Sequence, residues 1–523
     1  MTKLSRRLFN AALGAAVATT GTLAGTLGAW SGPALAQQPG SVITVATIGE
    51  PPTLDPVGTT SDLVSIITQH VFETLFTFDK DWQLQPLVAA ALPQLSADGK
   101  TYTIPLRSGV TFHDGSAMTV EDVVASLNHW LKASPRGKTA APLVESVTAK
   151  GRDAVVIALK EPFAPLTALL AMNNGAAAIV PKSAIDGSGP LKSLIGTGPY
   201  KLLEHKPDQY IRLVKFDGYA SPAGPASGYA GSRVAKIGEL RFVPVPNAAT
   251  RVSGVLAGQY QFADSLPAES LGRFKGAAGV QPVIVKPFGF PLMIMNGKAG
   301  VAANQKLRQA VLAALEPGDM LLAGFGDPAF IAPEGSIYAP GTPYHDAASA
   351  KPYGEHGLSK AAELLKAAGY KGEPIRIMTS TQYEFLYKMS LVAQAQLEAA
   401  GFKVDLQVLD WATLLQKRGD EKAWDAFFTY HTFVPEPSLI TVMNPSYPGW
   451  WDTPAKKEAL AAFNREMDPA ARKEKWVEIQ KLFYSEVPSI KVGEFYNLAA
   501  ASDKLTNYTP TPWPFFWNAE LKN

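Results

Sequence analysis

Apolar and polar residues alternate from Ser41 to Thr47 (SVITVAT), the period-two pattern of a half-buried strand, and the loop Gly49-Glu50-Pro51-Pro52 then ends it. Leu63, Ile66, Ile67, His70, Val71 and Leu75 recur at helical spacing, which predicts a helix over 62–76. Strands are expected over 101–106 and 154–159, with a helix over 120–132 between them. Farther on the pattern sharpens: a strand over 374–378 (PIRIM), a helix over 385–400 closed by Gly401, and a strand over 403–409 with Val404, Leu406 and Val408 on one face. That is a β-α-β unit. Ser359 is expected to cap a helix running to Ala368 and stopped by Gly369, so helices and strands alternate as an α/β layer requires. The Gly, Ala, Ser and Pro run over 218–231 reads as a surface loop, and no internal repeat is visible.

Length adds domain number to this picture. A chain of 523 residues is too long for one ordinary core, and 46% hydrophobic with 18% charged residues marks a globular rather than disordered chain. The first 36 residues stand apart: Lys3, Arg6 and Arg7 without an acid, a mildly apolar run from Ala11 to Ala29, then Ala34-Leu35-Ala36. That is an export signal with expected cleavage after Ala36. Ser5-Arg6-Arg7-Leu8-Phe9 further resembles the twin-arginine motif. Cleavage takes 3 of the 48 basic residues and none of the 46 acidic ones, leaving 45 against 46. Such a balance gives no reason to expect nucleic acid or an anionic membrane as partner. With no cysteine, disulfides, thiolate metal sites and a lipidated N-terminal cysteine drop out together. A soluble periplasmic protein is expected.

His113-Asp114-Gly115-Ser116 sets a histidine beside an acid, between the strand ending near Leu106 and the helix starting near Val120. Asp-Gly is a turn dipeptide, and Thr119 with Asp122 makes a variant capping box. A catalytic pair would need a nucleophile and an oxyanion motif, which the stretch lacks; it reads as a turn and a cap.

The same stretch carries a family resemblance. Leu106 to Gly115 (LRSGVTFHDG) with Met118 to Val123 (MTVEDV) resembles the motif of the peptide, nickel and oligopeptide class of periplasmic solute-binding proteins that serve ABC importers, family 5. Pro52 to Pro56 (PTLDP), Gly196 to Tyr200 (GTGPY), Leu307 to Val311 (LRQAV) and Ala361 to Tyr370 follow in the family's order. One departure is Ala314-Leu315-Glu316-Pro317, where family members usually have Ala-Ile-Asp-Arg. The resemblance implies an α/β, two-lobed periplasmic binding protein fold of class II type, with an extra domain inserted in the first lobe. Lobe I would comprise 41–85, 196–288 and 488–523, the insert 86–195, and lobe II 289–487, with hinges near Phe288 and Pro488.

In the dipeptide-binding branch an aspartate anchors the ligand's amine and an arginine its carboxylate. Matched onto this chain, the Asp-Pro step is Glu436-Pro437, the amine position falls near Phe433 and the arginine position near Thr381. Both charged anchors are missing in this register, which disfavours a zwitterionic dipeptide. Aromatic surface is offered instead: Tyr383, Trp411, Tyr430, His431, Phe433, Trp450 and Trp451 are the candidate ligand-binding residues.

No His-Glu-x-x-His or Gly-x-Ser-x-Gly stretch occurs, and Gly324 to Ala329 only nominally fits a dinucleotide fingerprint, because it follows a helix. No catalytic residue, no metal site and no cofactor is expected. The sequence reads as the solute-capturing component of an ABC importer, a monomer that binds a small organic solute, peptide or peptide-like, and delivers it to permease subunits with their ATPases. A nickel or metal-chelate binder is the alternative within the family, resting on His431; an exported hydrolase is the alternative from another class.

Overall fold

A computed structural model describes residues 41–381 and 383–522. The expected export signal over 1–36 lies outside them. Ten strands form one continuous path: β1 (Val42–Thr47), β2 (Tyr200–Lys206), β3 (Tyr210–Lys215), β4 (Glu239–Pro244), β5 (Phe262–Leu266), β6 (Val280–Met295), β7 (Ile375–Thr379), β8 (Val404–Val408), β9 (Ala426–Thr432) and β10 (Glu494–Ser502). Their order across the sheet is β8-β7-β9-β6-β10-β5-β1-β4-β3-β2. β1 lies parallel to β4 and β5. At the other end β7 lies parallel to β8 and β9. Antiparallel β6 and β10 join these two parallel blocks.

Sixteen-residue β6 belongs to both blocks. Its first part pairs with β10 from Val280↔Ser502 to Val285↔Asn497, the register then shifts, and Gly289 to Met295 pair with β9. Glycine is required at 289, because a Cβ there would sit 2.4 Å from the His431 carbonyl oxygen.

The inner strands of each parallel block are buried on both faces, as crossover helices demand. On β1, Ile43 and Val45 join one core and Ala46 another. Around β7 and β9, helices α3 (Gln305–Ala314), α4 (Pro317–Phe325), α5 (Leu358–Ala367) and α6 (Glu384–Ala399) pack Leu307, Val311, Leu386 and Met389 against Ile375, Ile377 and Phe428. The unusual Glu316-Pro317 is a helix boundary: Leu315 leaves helical geometry, Glu316 caps α4 and Pro317 opens it.

Three expectations need correction. The helix over 62–76 ends at Thr68, and α1 is Asp62–Thr68. The chain turns there because His70 and Val71 carbonyls accept the amides of Tyr200 and Gly198, while Phe76 begins a strand. Ser359 lies inside α5, whose N-cap is Gly357 without a side-chain cap. On β8, Val408 is 47% exposed, because β8 is the sheet edge.

The segment between β1 and β2 builds a smaller antiparallel sheet from Gln94–Leu95, Thr101–Pro105, Ala154–Leu159 and Val144–Lys150. Helix α2 (Val120–Ala133) packs on it, with the Thr119–Asp122 capping box in place. His113 is a latch between the two parts. Its backbone amide donates to the Gly196 carbonyl at 3.0 Å, its Nδ1 accepts the Gly196 amide at 3.3 Å, and its Nε2 donates to the Gly198 carbonyl at 3.0 Å.

His70 is the deepest imidazole. It stacks on Phe516, donates from Nδ1 to the Ile67 carbonyl and accepts the Phe516 amide on Nε2. Burial holds its pKa down to about 3, and that of His113 to about 4, from 6.5. Both are therefore neutral in the folded chain. As pH falls below about 6.5 the unfolded chain takes up protons that these sites refuse, so folding stability is lost through the window down to about 4 and below. A His70→Gln variant is expected to be less stable at pH 7 and to lose melting temperature more slowly toward pH 4. Parallel melting curves against pH for the two proteins contradict this.

Candidate functional site

In α/β sheets ligands sit outside the carboxyl ends of parallel strands. Here those ends face one another across β6 and β10. β1 ends at Thr47, β5 at Asp264-Ser265-Leu266 and β9 at Thr432. The register of β5 against β10 shifts between Ala263 and Leu266, and Ser265 has φ +53°, a left-handed conformation that a serine adopts only under constraint. This bulge sets Asp264 and Ser265 in the wall of a cavity of about 220 Å³. Asp62 and Ile66 of α1, Phe288, Trp513 and Tyr430 complete much of its lining. A second cavity of about 250 Å³ adjoins it, sharing Asp62, Tyr430 and Thr432 and adding Tyr383, Trp411 and His431.

Four of the seven sequence-predicted residues thus meet. Tyr383 precedes α6, and Trp411 opens helix α7 (Trp411–Lys417), which Asp410 caps by accepting the Thr413 amide at 2.9 Å. Their rings pack edge to face with centroids 4.7 Å apart, and Tyr383 lies 5.4 Å from Tyr430. His431 stacks on Phe290. Its Nδ1 donates to the Thr432 carbonyl and its Nε2 accepts the Thr441 amide, while burial lowers its pKa. Both nitrogens are occupied, so the ring is not poised as a metal ligand. Among the described residues no group of three or more His, Cys, Asp or Glu is arranged to hold a metal ion.

Phe433, Trp450 and Trp451 lie apart from these cavities. Phe433 is buried 4.5 Å from Trp82 and edge-on to Tyr338. Trp450 stacks on Trp424 beneath the Lys298 ammonium. Trp451 is buried and donates its indole N–H to Glu486. All three are packing aromatics at strand or loop ends, which sequence pattern cannot separate from a ligand wall. Glu436, matched to the family's Asp-Pro step, is also structural: it caps the turn Pro437–Leu439 and forms a two-bond ion pair with Arg472, both bonds at 2.8 Å.

Asp62 and Asp264 were not among the sequence-predicted residues. Asp62 Oδ1 accepts from Trp513 Nε1 at 2.7 Å and from Asn174 Nδ2 at 3.1 Å. Asp264 accepts from Asn497 at 3.0 Å and from the Ser265 hydroxyl at 3.1 Å. Burial raises the pKa of each, outweighing those bonds and the nearby guanidiniums of Arg136 and Arg251. A signal existed: an acid interrupting the apolar run Phe262-Ala263-x-x-Leu266 at the end of a parallel strand. A void of about 40 Å³ beside Glu73 has room for water only, and Glu73 is already paired with Thr197, Tyr219 and Arg233.

The model of the bacterial extracellular solute-binding proteins, family 5, middle region, matches residues 83–452. A probable peptide ABC transporter periplasmic-binding protein of Sinorhizobium fredii is 26% identical over 485 residues, covering 89% of this chain and 91% of that protein. The glutathione-binding protein of Escherichia coli K12 is 27% identical over 368 residues, 68% of this chain and 67% of its own. Among solved structures, an ABC transporter substrate-binding protein of Listeria monocytogenes superposes with a TM-score of 0.80 at 20% identity, over 92% of this chain and 100% of that one. That likeness concerns the fold.

The Glu436–Arg472 pair is 2% and 7% exposed, so removing one partner strands a buried charge. Arg472→Met is expected to cost about 3–5 kcal/mol in urea unfolding, and Glu436→Gln combined with Arg472→Met to recover most of it. A double variant as unstable as the single one contradicts this.

Proposed function

The chain belongs to the bacterial extracellular solute-binding proteins of family 5, and from that premise we propose that it captures a small organic solute, peptide or peptide-like, in the periplasm and delivers it to an ABC permease with its ATPases. One observation carries the reading: the two joined cavities at the strand ends are walled by both parallel blocks, Thr47, Asp62 and Asp264 on one side, Trp411, Tyr430 and Thr432 on the other. A solute there touches both blocks at once. The names of the Sinorhizobium and Escherichia relatives favour a peptide or peptide-like ligand.

In this reading 41–85, 196–288 and 488–523 act as lobe I, 86–195 as its insert and 289–487 as lobe II. The register shift between Val285 and Gly289 in β6 is where the lobes bend. Tyr383, Trp411 and Tyr430 form the aromatic wall. Export depends on the first 36 residues, with cleavage after Ala36, and no helix among the described residues is long and apolar enough to cross a membrane.

A panel of di- to pentapeptides and their amides is expected to contain at least one member that stabilises the mature protein, by about 2.7 kcal/mol at a hundredfold excess over its Kd. Trp411→Ala and Tyr430→Ala are each expected to weaken that member about tenfold or more in isothermal titration, with the empty variants still folded. Unchanged affinity in both removes the site assignment.

A further inference from the structure

We propose that the cleft selects its solute by a buried cation, an ammonium or guanidinium held between the carboxylates of Asp62 and Asp264 against Trp513, Tyr430 and Phe288, with no anchor for a ligand carboxylate. The inference rests on the cleft being the ligand site and specifies its chemistry. Both acids line the same cavity, and neither it nor the adjoining cavity has a Lys or Arg in its lining among the described residues.

The two nearby guanidiniums are engaged elsewhere. Arg136 points at Asn174, donating from Nε to its backbone carbonyl at 2.7 Å and to its side-chain oxygen at 3.0 Å. Arg251 is spread over the carbonyls of Val245, Pro246, Asp264 and Ser265, at 2.7–3.2 Å. Its fork is filled by neutral acceptors of the backbone. The acids are left with neutral donors: indole and amide for Asp62, amide and hydroxyl for Asp264. Burial raises the pKa of both, and the guanidiniums of Arg136 and Arg251 offset this only in part; neither acid has a counterion in direct contact among the described residues.

A cation entering the cavity supplies that counterion, and the aromatic rings around it add cation–π attraction. An entering carboxylate meets two like charges where water screens poorly. His431 offers no compensation, since its Nε2 accepts the Thr441 amide and so carries no proton. This charge pattern differs from the amine-plus-carboxylate anchoring expected of a dipeptide site. It excludes solutes that are anionic overall, glutathione with its two carboxylates included.

The test uses matched probes on the mature chain: Ala-Phe-amide (cation), Ala-Phe (zwitterion), N-acetyl-Ala-Phe-amide (neutral) and N-acetyl-Ala-Phe (anion), with agmatine and glutathione as a non-peptide cation and anion. Cationic members are expected to bind tightest by calorimetry and the anions weakest. Asp62→Asn and Asp264→Asn are each expected to weaken the cations about tenfold or more, leave the neutral probe within about twofold, and leave the melting temperature of the empty protein unchanged or higher. That combination separates a ligand counter-charge from a structural role, in which melting falls and all probes weaken alike. An anionic or neutral probe binding as tightly as its cationic partner overturns the proposal, as does failure of every cationic probe. Binding of any probe that survives both Trp411→Ala and Tyr430→Ala fails the cleft reading instead, so the two failures are distinguishable.

Discussion

Everything else in this molecule is arranged around one strand that must satisfy two sheets. β6 pairs first with β10 and then with β9, and between the two pairings its register breaks at residues 286–288. Because the break comes where the parallel blocks meet, the carboxyl ends of β1, β5 and β9 point into one gap rather than two separate surfaces. Gly289 makes the crossing possible by letting β6 pass within contact of the His431 carbonyl. A side chain there would push β9, and with it Tyr430 and Thr432, away from α1. Cleft geometry and sheet pairing are thus one constraint.

The gap shows where stability yields to binding. Ser265 keeps a left-handed backbone, and two carboxylates, Asp264 buried and Asp62 half-buried, stay with neutral partners. Other buried charges are met by an opposite charge, as Glu436 by Arg472, Lys491 by Glu494 and Glu73 by Arg233, or by backbone carbonyls, as Arg308 and Lys456 are. Two acids on one cavity wall, each with neutral donors only, fit a site that receives a charged partner.

How much of this was legible in the sequence depended on the range of the interaction that decides each residue. Local chemistry was readable: the Thr119–Asp122 capping box, the Asp114 turn and the glycine after α5 are set by neighbours within a few positions. The helix over 62–76 was overextended, because what stops it at Thr68 is pairing of His70 and Val71 with a turn more than a hundred residues away. For the site, Tyr383, Trp411, Tyr430 and His431 converge, yet Phe433, Trp450 and Trp451 have equal apolar character and pack against partners that no spacing reveals. Asp62 and Asp264 escaped notice for the opposite reason. Each is one acid among many until the topology brings a helix start and a strand end to the same wall.

The central claim is that the two blocks bend about the β6 crossing when a solute bridges them. The chain has no cysteine, so spin labels can be placed on cysteines substituted for Leu203 and Val408, 45% and 47% exposed near opposite edges of the sheet. Electron–electron distance distributions would be recorded with and without a periplasmic small-molecule extract that raises the melting temperature. A shorter and narrower distribution with the extract is the expected result. An unchanged distribution, with the melting temperature still raised, would contradict the account.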